Sequence, residues 1–319
     1  MIMDVVHLKP KSLFPTNLSS DTIFGAICVA IKEVYGEDEL DRMLDLFDGK
    51  SNPFVLSSAF PFINGSDGKH HFFPKLIVEP FKEPITNYWD QAKKFKKVRW
   101  IHQDIFNDWI NGNTTELDLI KEFDEKYRVK SGLLFPKGIN LDPKLIVTDV
   151  THNQLNRLSN RSENFFYSTG SYFKNAGLFF LIELFNKSYE PKIRSALKFL
   201  EDRGFGGDVS SGEGQFEIEG MENESVITEP AKADAFTTLS LYSPGSEFDS
   251  FDKRQAWYEL IKIQGRCSDG VLKKSLFMLK EGSTFPSSDQ KFYGKIEEVR
   301  PEPKRVVEYG IAFHIKMRK

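Results

Sequence analysis

One glycine-rich segment limits the folds open to this chain more than any other feature. Residues 203–216 read Arg-Gly-Phe-Gly-Gly-Asp-Val-Ser-Ser-Gly-Glu-Gly-Gln-Phe, with five glycines in eleven positions. Glycine at this density lets the backbone adopt positive φ and approach a partner closely. Residues 191–202 have the apolar spacing of a helix, and residues 215–219 alternate polar and apolar like a half-buried strand. The sequence therefore predicts the order helix, glycine loop, strand.

This order argues against the familiar phosphate-binding loops, which run from a strand through the loop into a helix. A Walker A motif would need a lysine at the position that Glu213 occupies. A Rossmann fingerprint would need a third glycine where Val209 stands. A nucleotide site of either kind is excluded, which leaves a different binding loop or only a long turn.

Composition places the chain among soluble globular proteins of about two domains, because it has 319 residues, 40% hydrophobic and 28% charged. Cys28 and Cys267 have no spacing that suggests a disulfide framework or a zinc site, so a reducing compartment is expected. No apolar run is long enough for a membrane span and no signal peptide is evident, which favours a cytoplasmic protein.

The net charge of −3 does not itself predict nucleic-acid binding, but the charge is uneven. Residues 93–100 form a basic stretch with interleaved aromatics, and the last twenty residues hold six Lys or Arg. Local basic and acidic patches in a chain of small net charge fit a subunit that contacts both a polyanion and protein neighbours. Charged faces that are simply exposed to solvent explain these patches equally well.

The order of predicted elements indicates an α+β fold with antiparallel sheets and helices packed on one face. A helix beginning near Ser20 follows the first strand, and residues 80–145 are interpreted as a mainly helical surface insertion outside the central sheet. Strands are predicted near residues 3–9, 54–63, 71–78, 146–152, 164–172, 177–184, 215–219, 236–243, 257–264, 275–280, 294–299 and 306–317.

Three segments resemble motifs of RAMP proteins, the RRM-like subunits of CRISPR–Cas effectors. Residues 18–27 (Leu-Ser-Ser-Asp-Thr-Ile-Phe-Gly-Ala-Ile) resemble the first-helix motif, and residues 151–157 (Thr-His-Asn-Gln-Leu-Asn-Arg) with Phe166-Tyr167 resemble the middle motif. The segment 204–216 is similar to the C-terminal glycine-rich loop. With the ending Tyr309-Gly-Ile-Ala-Phe313, the arrangement is most similar to the type III-A (Csm) subunit that caps the 5′ end of the guide RNA.

The resemblance implies two ferredoxin-like (RRM-like) modules with antiparallel sheets. The first would span residues 1–220, with the glycine loop and an insertion at about 80–145, and the second residues 221–319. It also implies a non-catalytic subunit that holds the crRNA 5′ handle and bridges the large polymerase/cyclase-type subunit to the backbone RAMP subunit. No cofactor, metal or membrane partner is expected.

The expected RNA contacts follow from the chemistry of the matching residues. Glycine backbone N–H groups can reach phosphates without side-chain obstruction, hydroxyls and guanidinium groups add donors, and an aromatic ring can stack on a base. Packing of Phe205 onto the sheet, and simple capping by the serines and threonine at the helix start, explain those residues equally well. The predicted RNA-binding residues are Ser19, Ser20, Thr22, His152, Asn153, Arg157, Arg161, Arg203, Gly204, Phe205, Gly206, Gly207, Ser210, Ser211 and Gly212.

The alternative function is a guide-RNA-processing endoribonuclease on the same fold, because some RAMP relatives cleave precursors with a histidine. The spacing of the six histidines suggests no general acid and base pair, and only His152 lies in a motif. A hydrogen-bonded structural role is expected for His152, so no catalytic residue is predicted.

Overall fold

A computed structural model describes residues 3–15, 18–83, 86–204, 212–267, 270–288, 290–302 and 304–319. The predicted α+β class with antiparallel sheets is confirmed, with one parallel pair in addition. The helices are α1 (Ser20–Tyr35), α2 (Glu37–Asp48), α3 (Trp89–Lys96), α4 (Gln103–Ile110), α5 (Glu116–Lys121), α6 (Phe123–Lys126) and α7 (Glu190–Arg203). The strands are β1 (Asp4–Pro10), β2 (Phe14–Pro15), β3 (Phe54–Leu56), β4 (Phe60–Asn64), β5 (Lys69–Pro74), β6 (Trp100–His102), β7 (Tyr127–Lys130), β8 (Leu133–Pro136), β9 (Lys144–Asn156), β10 (Arg161–Lys174), β11 (Ala176–Leu184), β12 (Phe216–Asn223), β13 (Ala235–Thr238), β14 (Leu260–Ile263), β15 (Leu276–Leu279), β16 (Thr284–Pro286), β17 (Gly294–Arg300), β18 (Val306–Ile311) and β19 (His314–Met317).

A nine-stranded sheet forms the centre of the molecule, in the order β12-β1-β11-β4-β5-β6-β8-β7, with β3 also paired to β11. Its first four strands are antiparallel neighbours. Helix α1 lies between β1 and β4 in the chain, α7 lies between β11 and β12, and the two helices pack together. Taken alone, β1, α1, β4, β11, α7 and β12 follow one another in the chain as β-α-β-β-α-β. The assignment of residues 1–220 to a ferredoxin-like module stays a prediction. The glycine loop falls between α7 and β12, so the predicted order helix, loop, strand is confirmed.

The prediction that residues 80–145 stay outside the central sheet is wrong. Strands β6, β7 and β8 from this segment extend the sheet beyond β5, while α3 to α6 make up its helical part. Ile101, Leu133 and Leu134 are fully buried. Strands of three or four residues are too short to show a clear period of two, and only their pairing within the sheet makes them recognisable.

The C-terminal half contains three small antiparallel groups, β16-β13-β19, β14-β15 and β17-β18. Its described residues between 221 and 319 form strands and short 3₁₀ turns, with no α-helix among them. The two helices that a second ferredoxin-like module needs are therefore not present in that part of the structure. The two-module description remains a prediction.

An aromatic cluster joins the two halves. The ring of Tyr309 on β18 lies 4.9 Å from that of Phe24 and 6.2 Å from that of Phe47, and Phe47 packs edge-on against Phe54. The Leu56 backbone N–H donates a hydrogen bond of 3.1 Å to the Tyr309 hydroxyl. All of these side chains are buried, so β18 completes a core that α1, α2 and β3 begin.

Two of the basic residues near the C-terminus form ion pairs with acidic residues of the same chain. Lys304 pairs with Glu37 at 2.6 Å, and Arg305 pairs with Asp48 on α2 at 2.8 Å and with Glu298 at 3.3 Å. These pairs are partly exposed, so each stabilises the fold little on its own. Their effect is to hold the β17–β18 hairpin against the acidic helix, which leaves less of this charge for an external polyanion.

Glu247 is a buried carboxylate that organises the C-terminal half. Its Oε1 accepts hydrogen bonds from the Tyr242 hydroxyl at 2.9 Å, from Gly245 N at 2.9 Å and from Gly294 N at 2.7 Å. Burial alone would raise the pKa of Glu247, but these hydrogen bonds outweigh burial and lower the pKa below its ordinary value. The ionised form is therefore the one that stabilises the fold.

We expect Glu247→Gln to lower the free energy of unfolding by about 1–3 kcal/mol at neutral pH. An amide oxygen is a weaker hydrogen-bond acceptor than a carboxylate oxygen, so the buried O–H and N–H donors around it would form weaker hydrogen bonds. A carboxyl whose pKa is lower in the folded than in the unfolded protein stabilises the fold at pH values above its unfolded-state pKa. That stabilisation is lost as the pH falls through the folded-state pKa. The stability difference between wild type and Glu247→Gln should therefore shrink below about pH 4. Urea unfolding between pH 3 and 7 measures it, and a constant difference would contradict the assignment.

Candidate nucleic-acid interface

Strands β9 and β10 form a long hairpin that leaves the body of the protein. Their register runs from Lys144↔Lys174 at the base to Asn156↔Arg161 at the tip. Among the described strands, β2 alone pairs with this hairpin, through Gly170 and Ser171 near the base. The sequence predicted both strands but neither their full length nor their projection away from the sheet.

The hairpin exposes an unusual amount of apolar surface. Phe165, Phe166 and Tyr167 have 60%, 49% and 63% of their surface exposed, and Leu158 at the turn is fully exposed. Because neighbouring residues of a strand point to opposite faces, Phe165 and Tyr167 share one face and Phe166 lies on the other. Aromatic groups exposed together on an isolated hairpin do not stabilise a core, and surfaces of this kind mark binding sites.

His152 belongs to this aromatic surface. Its ring stacks on Phe166 with a centroid distance of 5.0 Å and an interplanar angle of 14°, and its Nε2 lies 2.6 Å from the Ser168 hydroxyl. The opposite face carries an edge-on contact between Phe165 and Tyr167 at 5.2 Å. The hydrogen bond expected for His152 is present, and the ring lies in a stack that a base could extend.

The tip of the hairpin brings the predicted arginines together. Arg157 lies in the turn, Arg161 begins β10, and both are exposed. Asn156 Oδ1 accepts from the backbone N–H of Leu158 at 2.9 Å, which fixes the turn. In the described part of the chain neither guanidinium has a carboxylate within salt-bridge distance. Asn153 accepts a hydrogen bond from Ser162 across the hairpin.

The described C-terminal end of the glycine loop adjoins the base of the hairpin through residues 12–14. Residues 205–211, which include the predicted contacts Phe205, Gly206, Gly207, Ser210 and Ser211, lie outside the described residues. Beyond them, Gly214 N–H donates to the Leu13 carbonyl at 2.9 Å, and Gln215 N–H donates to Ser12 Oγ at 2.9 Å. The next residue of that segment, Phe14, pairs with Ser171 of the hairpin.

At both described ends of the loop the backbone adopts the positive φ that glycine favours. Gly204 ends α7 with φ of +88°, and its N–H donates to the Leu200 carbonyl at 2.7 Å. Gly212 has φ of +89° and open space around it. Arg203 is exposed, with its guanidinium 5.9 Å from the ring of Phe199. Both loop ends thus show the positive φ that the glycine spacing predicted.

The predicted contacts at the start of α1 have a different environment. Ser20 is fully buried, its hydroxyl accepts from Leu241 N–H at 3.0 Å, and its own N–H donates to Ser58 Oγ at 2.9 Å. Ser19 occupies the N-cap position but donates its hydroxyl to Asp21 instead of capping a backbone N–H. Thr22 is exposed. Ser20 therefore has no surface to offer an RNA strand, and its contacts assign it to the packing of α1.

Four buried histidines form two contacting pairs that the sequence did not predict. Nε2 of His7 lies 2.8 Å from Nε2 of His71, and Nδ1 of His70 lies 3.1 Å from Nε2 of His102. All four side chains are buried. Their partners are 64 and 32 residues apart in the chain, so no local spacing could have indicated the pairs.

Known proteins resemble this chain as follows. Residues 231–317 match the family model described as CRISPR Csm4 C-terminal domain. The chain is 26% identical over 285 residues to the CRISPR system Cms protein Csm4 of Thermococcus onnurineus (strain NA1), which covers 87% of this chain and 85% of the relative. No helix in the described ranges is both long and apolar enough to cross a membrane.

Two solved structures share the fold. A chain from the crystal structure of the Csm3-Csm4 subcomplex in the type III-A CRISPR-Cas interference complex aligns with a TM-score of 0.72 at 18% identity, over 99% of this chain and 100% of that one. A chain from the Csm1-Csm4 cassette in complex with pppApA aligns with a TM-score of 0.59 at 19% identity, over 99% and 98%.

Proposed function

We propose that this chain is a member of the Csm4 family of RAMP proteins and a non-catalytic RNA-binding subunit of a type III-A CRISPR effector complex, which its similarity to Csm4 proteins supports. In this proposal it holds the 5′ handle of the crRNA on the hairpin and the glycine loop. The observation that carries the proposal is the exposed aromatic hairpin, whose base adjoins the described end of the glycine loop through residues 12–14.

The chemistry of the two elements is complementary. Exposed rings on the hairpin offer stacking surfaces to splayed bases of a single strand, and stacking tolerates any base. Arg157 and Arg161 at the tip can grip phosphates. Glycine backbone N–H groups in the loop can reach other phosphates, because no side chain obstructs them. One strand could therefore lie along the hairpin with its end at the loop.

A bridging role between protein subunits is part of the proposal. Relatives of this fold are described in a Csm3-Csm4 subcomplex and in a Csm1-Csm4 cassette. We infer that this chain likewise joins the large polymerase/cyclase-type subunit to the backbone RAMP subunit. The setting would be the cytoplasm, where the guide RNA is found. The C-terminal residues 221–319, for which the resemblance implies a second ferredoxin-like module, would supply one of these surfaces.

The tip arginines supply the direct test. Replacing both Arg157 and Arg161 by alanine should weaken binding of handle RNA to the assembled complex and reduce the slope of log K against log salt by roughly 0.7 per lost phosphate contact. Arg128→Ala, an exposed arginine on β7 at the other end of the central sheet, is the matched control. An unchanged slope in the double variant would show that the tip does not touch RNA.

The endoribonuclease alternative is tested with the isolated chain. His152 is engaged by Ser168 and Phe166, which suits a stacking or structural role. Purified, metal-free chain incubated with precursor RNA should leave it intact. Cleavage by wild type that His152→Ala abolishes would replace the proposed role with guide processing.

A further inference from the structure

A second candidate site lies on the central sheet, away from the hairpin. His7 on β1, His71 on β5 and Glu224, which directly follows β12, each place one potential ligand atom within 4.8 Å of the other two. Nε2 of His7 is 2.8 Å from Nε2 of His71, and Glu224 Oε2 is 3.9 Å from the latter atom. The proposed RNA-binding role uses none of these residues.

The spacing suits a small transition-metal ion. Bonds of about 2.1 Å in a tetrahedral site hold the ligand atoms about 3.4 Å apart. The two observed distances fall on either side of that value, so small rotations of the side chains would bring the donors to it. Two imidazoles and one carboxylate form a donor set that suits zinc and the neighbouring first-row transition metals, whereas magnesium and calcium prefer all-oxygen sites.

The tautomer of His71 is fixed for ligation. Gln103 Oε1 lies 3.1 Å from His71 Nδ1 and 3.4 Å from the His71 backbone N. A carbonyl oxygen shared by two such nitrogens accepts from both, so Nδ1 of His71 carries the proton and Nε2 keeps its lone pair. Outer hydrogen bonds of this kind orient metal-binding histidines.

His7 can provide a second lone pair. Without a metal, its Nε2–H donates to Nε2 of His71 across the 2.8 Å contact. A metal ion would take the place of that proton between the two nitrogens, and the proton would move to His7 Nδ1, which lies 3.7 Å from Glu224 Oε1.

The surroundings are closely packed on one side and open to solvent at Glu224. Between β1 and β5, strand β11 has Gly177, where a Cβ would lie 2.5 Å from both the Leu8 carbonyl and the Phe62 ring, so only glycine allows this packing beside the histidines. The Glu224 side chain is 32% exposed, which opens the cluster to solvent. The nearby cation Lys69 is paired with Glu219 at 3.2 Å.

We propose that His7, His71 and Glu224 bind one zinc-class transition-metal ion. Because Glu224 follows β12, which itself leaves the glycine loop, the ion would clamp the end of that strand to β1 and β5. The ion is a structural tie between the C-terminal end of β12 and the strands β1 and β5. An ion bound by only three protein groups keeps a position for water.

Cobalt(II) and zinc(II) titrations of the tag-free chain, first treated with chelator, test the site without RNA or partner subunits. We expect one equivalent of cobalt with tetrahedral d–d absorption, displaced by zinc, and a rise in melting temperature of roughly 5 °C at a hundredfold excess over Kd. Glu224→Gln should weaken binding roughly tenfold or more, and Gln103→Leu roughly 10–100-fold.

Two controls make the result decisive. Glu222→Gln removes an exposed carboxylate from the same strand outside the cluster, and it should bind like wild type. His70→Gln removes a buried histidine from the neighbouring pair, and it should also retain one equivalent. Absence of binding by folded wild type, or equal binding by Glu224→Gln, would overturn the proposal. The outcome is independent of RNA binding, which the isolated chain does not need for this measurement.

Discussion

Replacing Gly294 by alanine is expected to lower the free energy of unfolding by about 2–5 kcal/mol, because it combines backbone strain with a steric clash. Gly294 has φ of +91°, and a Cβ there would lie 2.2 Å from the Gly310 carbonyl oxygen. Neither atom can move easily, since Gly294 begins β17, pairs with Ile311 and donates its N–H to Glu247. A loss of this size is a large part of the 5–15 kcal/mol that stabilises an ordinary domain.

Gly36 separates the two effects. It also has φ of +91°, but a Cβ there would meet no atom within 4 Å. Gly36→Ala should therefore show the strain alone, roughly 1–2 kcal/mol. Urea unfolding monitored by tryptophan fluorescence measures both variants. Equal losses for Gly294→Ala and Gly36→Ala would mean that β17 and β18 can separate enough to admit a methyl group.

The second large effect is expected on RNA binding. Alanine at all three of Phe165, Phe166 and Tyr167 should weaken retention of the crRNA by about a hundredfold or more, because each base stacked on an aromatic ring contributes roughly 1–3 kcal/mol. These rings are about half exposed or more. Their removal should therefore leave the folded protein nearly as stable as wild type.

Ile146 and Val147 provide the matched control. Both are more than half exposed on β9 near the base of the hairpin, and neither side chain can stack on a base. The triple variant and Ile146→Ala/Val147→Ala are compared in assembled complexes by the RNA that remains after a salt wash. If both lose RNA equally, the hairpin acts through its general shape or its protein contacts and not through stacking.

The parts of the fold that sequence predicted best have strong local signals. Helix α1 begins at Ser20, where serine and aspartate precede an apolar face, and β1 follows the predicted strand within one residue. Helix α2 was missed because acidic residues dominate it, although Met43, Leu44 and Phe47 form its buried face. The predicted strand at 306–317 is divided into β18 and β19.

The candidate sites were predicted unevenly for a similar reason. His152 and Arg157 were identified by motif and Arg161 by its place after a predicted strand, but nothing local shows that Phe165 lies on a projecting hairpin instead of in the core. Phenylalanine is abundant throughout the chain, so its presence in a strand does not distinguish the two environments. The pairing of His7 with His71 depends on strand order, which only the folded sheet defines.

The hydrogen bond between Leu56 and Tyr309 has a consequence for biosynthesis. The two residues are 253 positions apart, and ribosomes of different speeds add residues at roughly 5–20 per second. Phe24, Phe47 and Phe54 are therefore synthesised roughly 13 to 50 s before β18, the strand that covers their rings. During that time the nascent chain presents an unfinished aromatic surface, on which a chaperone or a premature contact with another chain would act first.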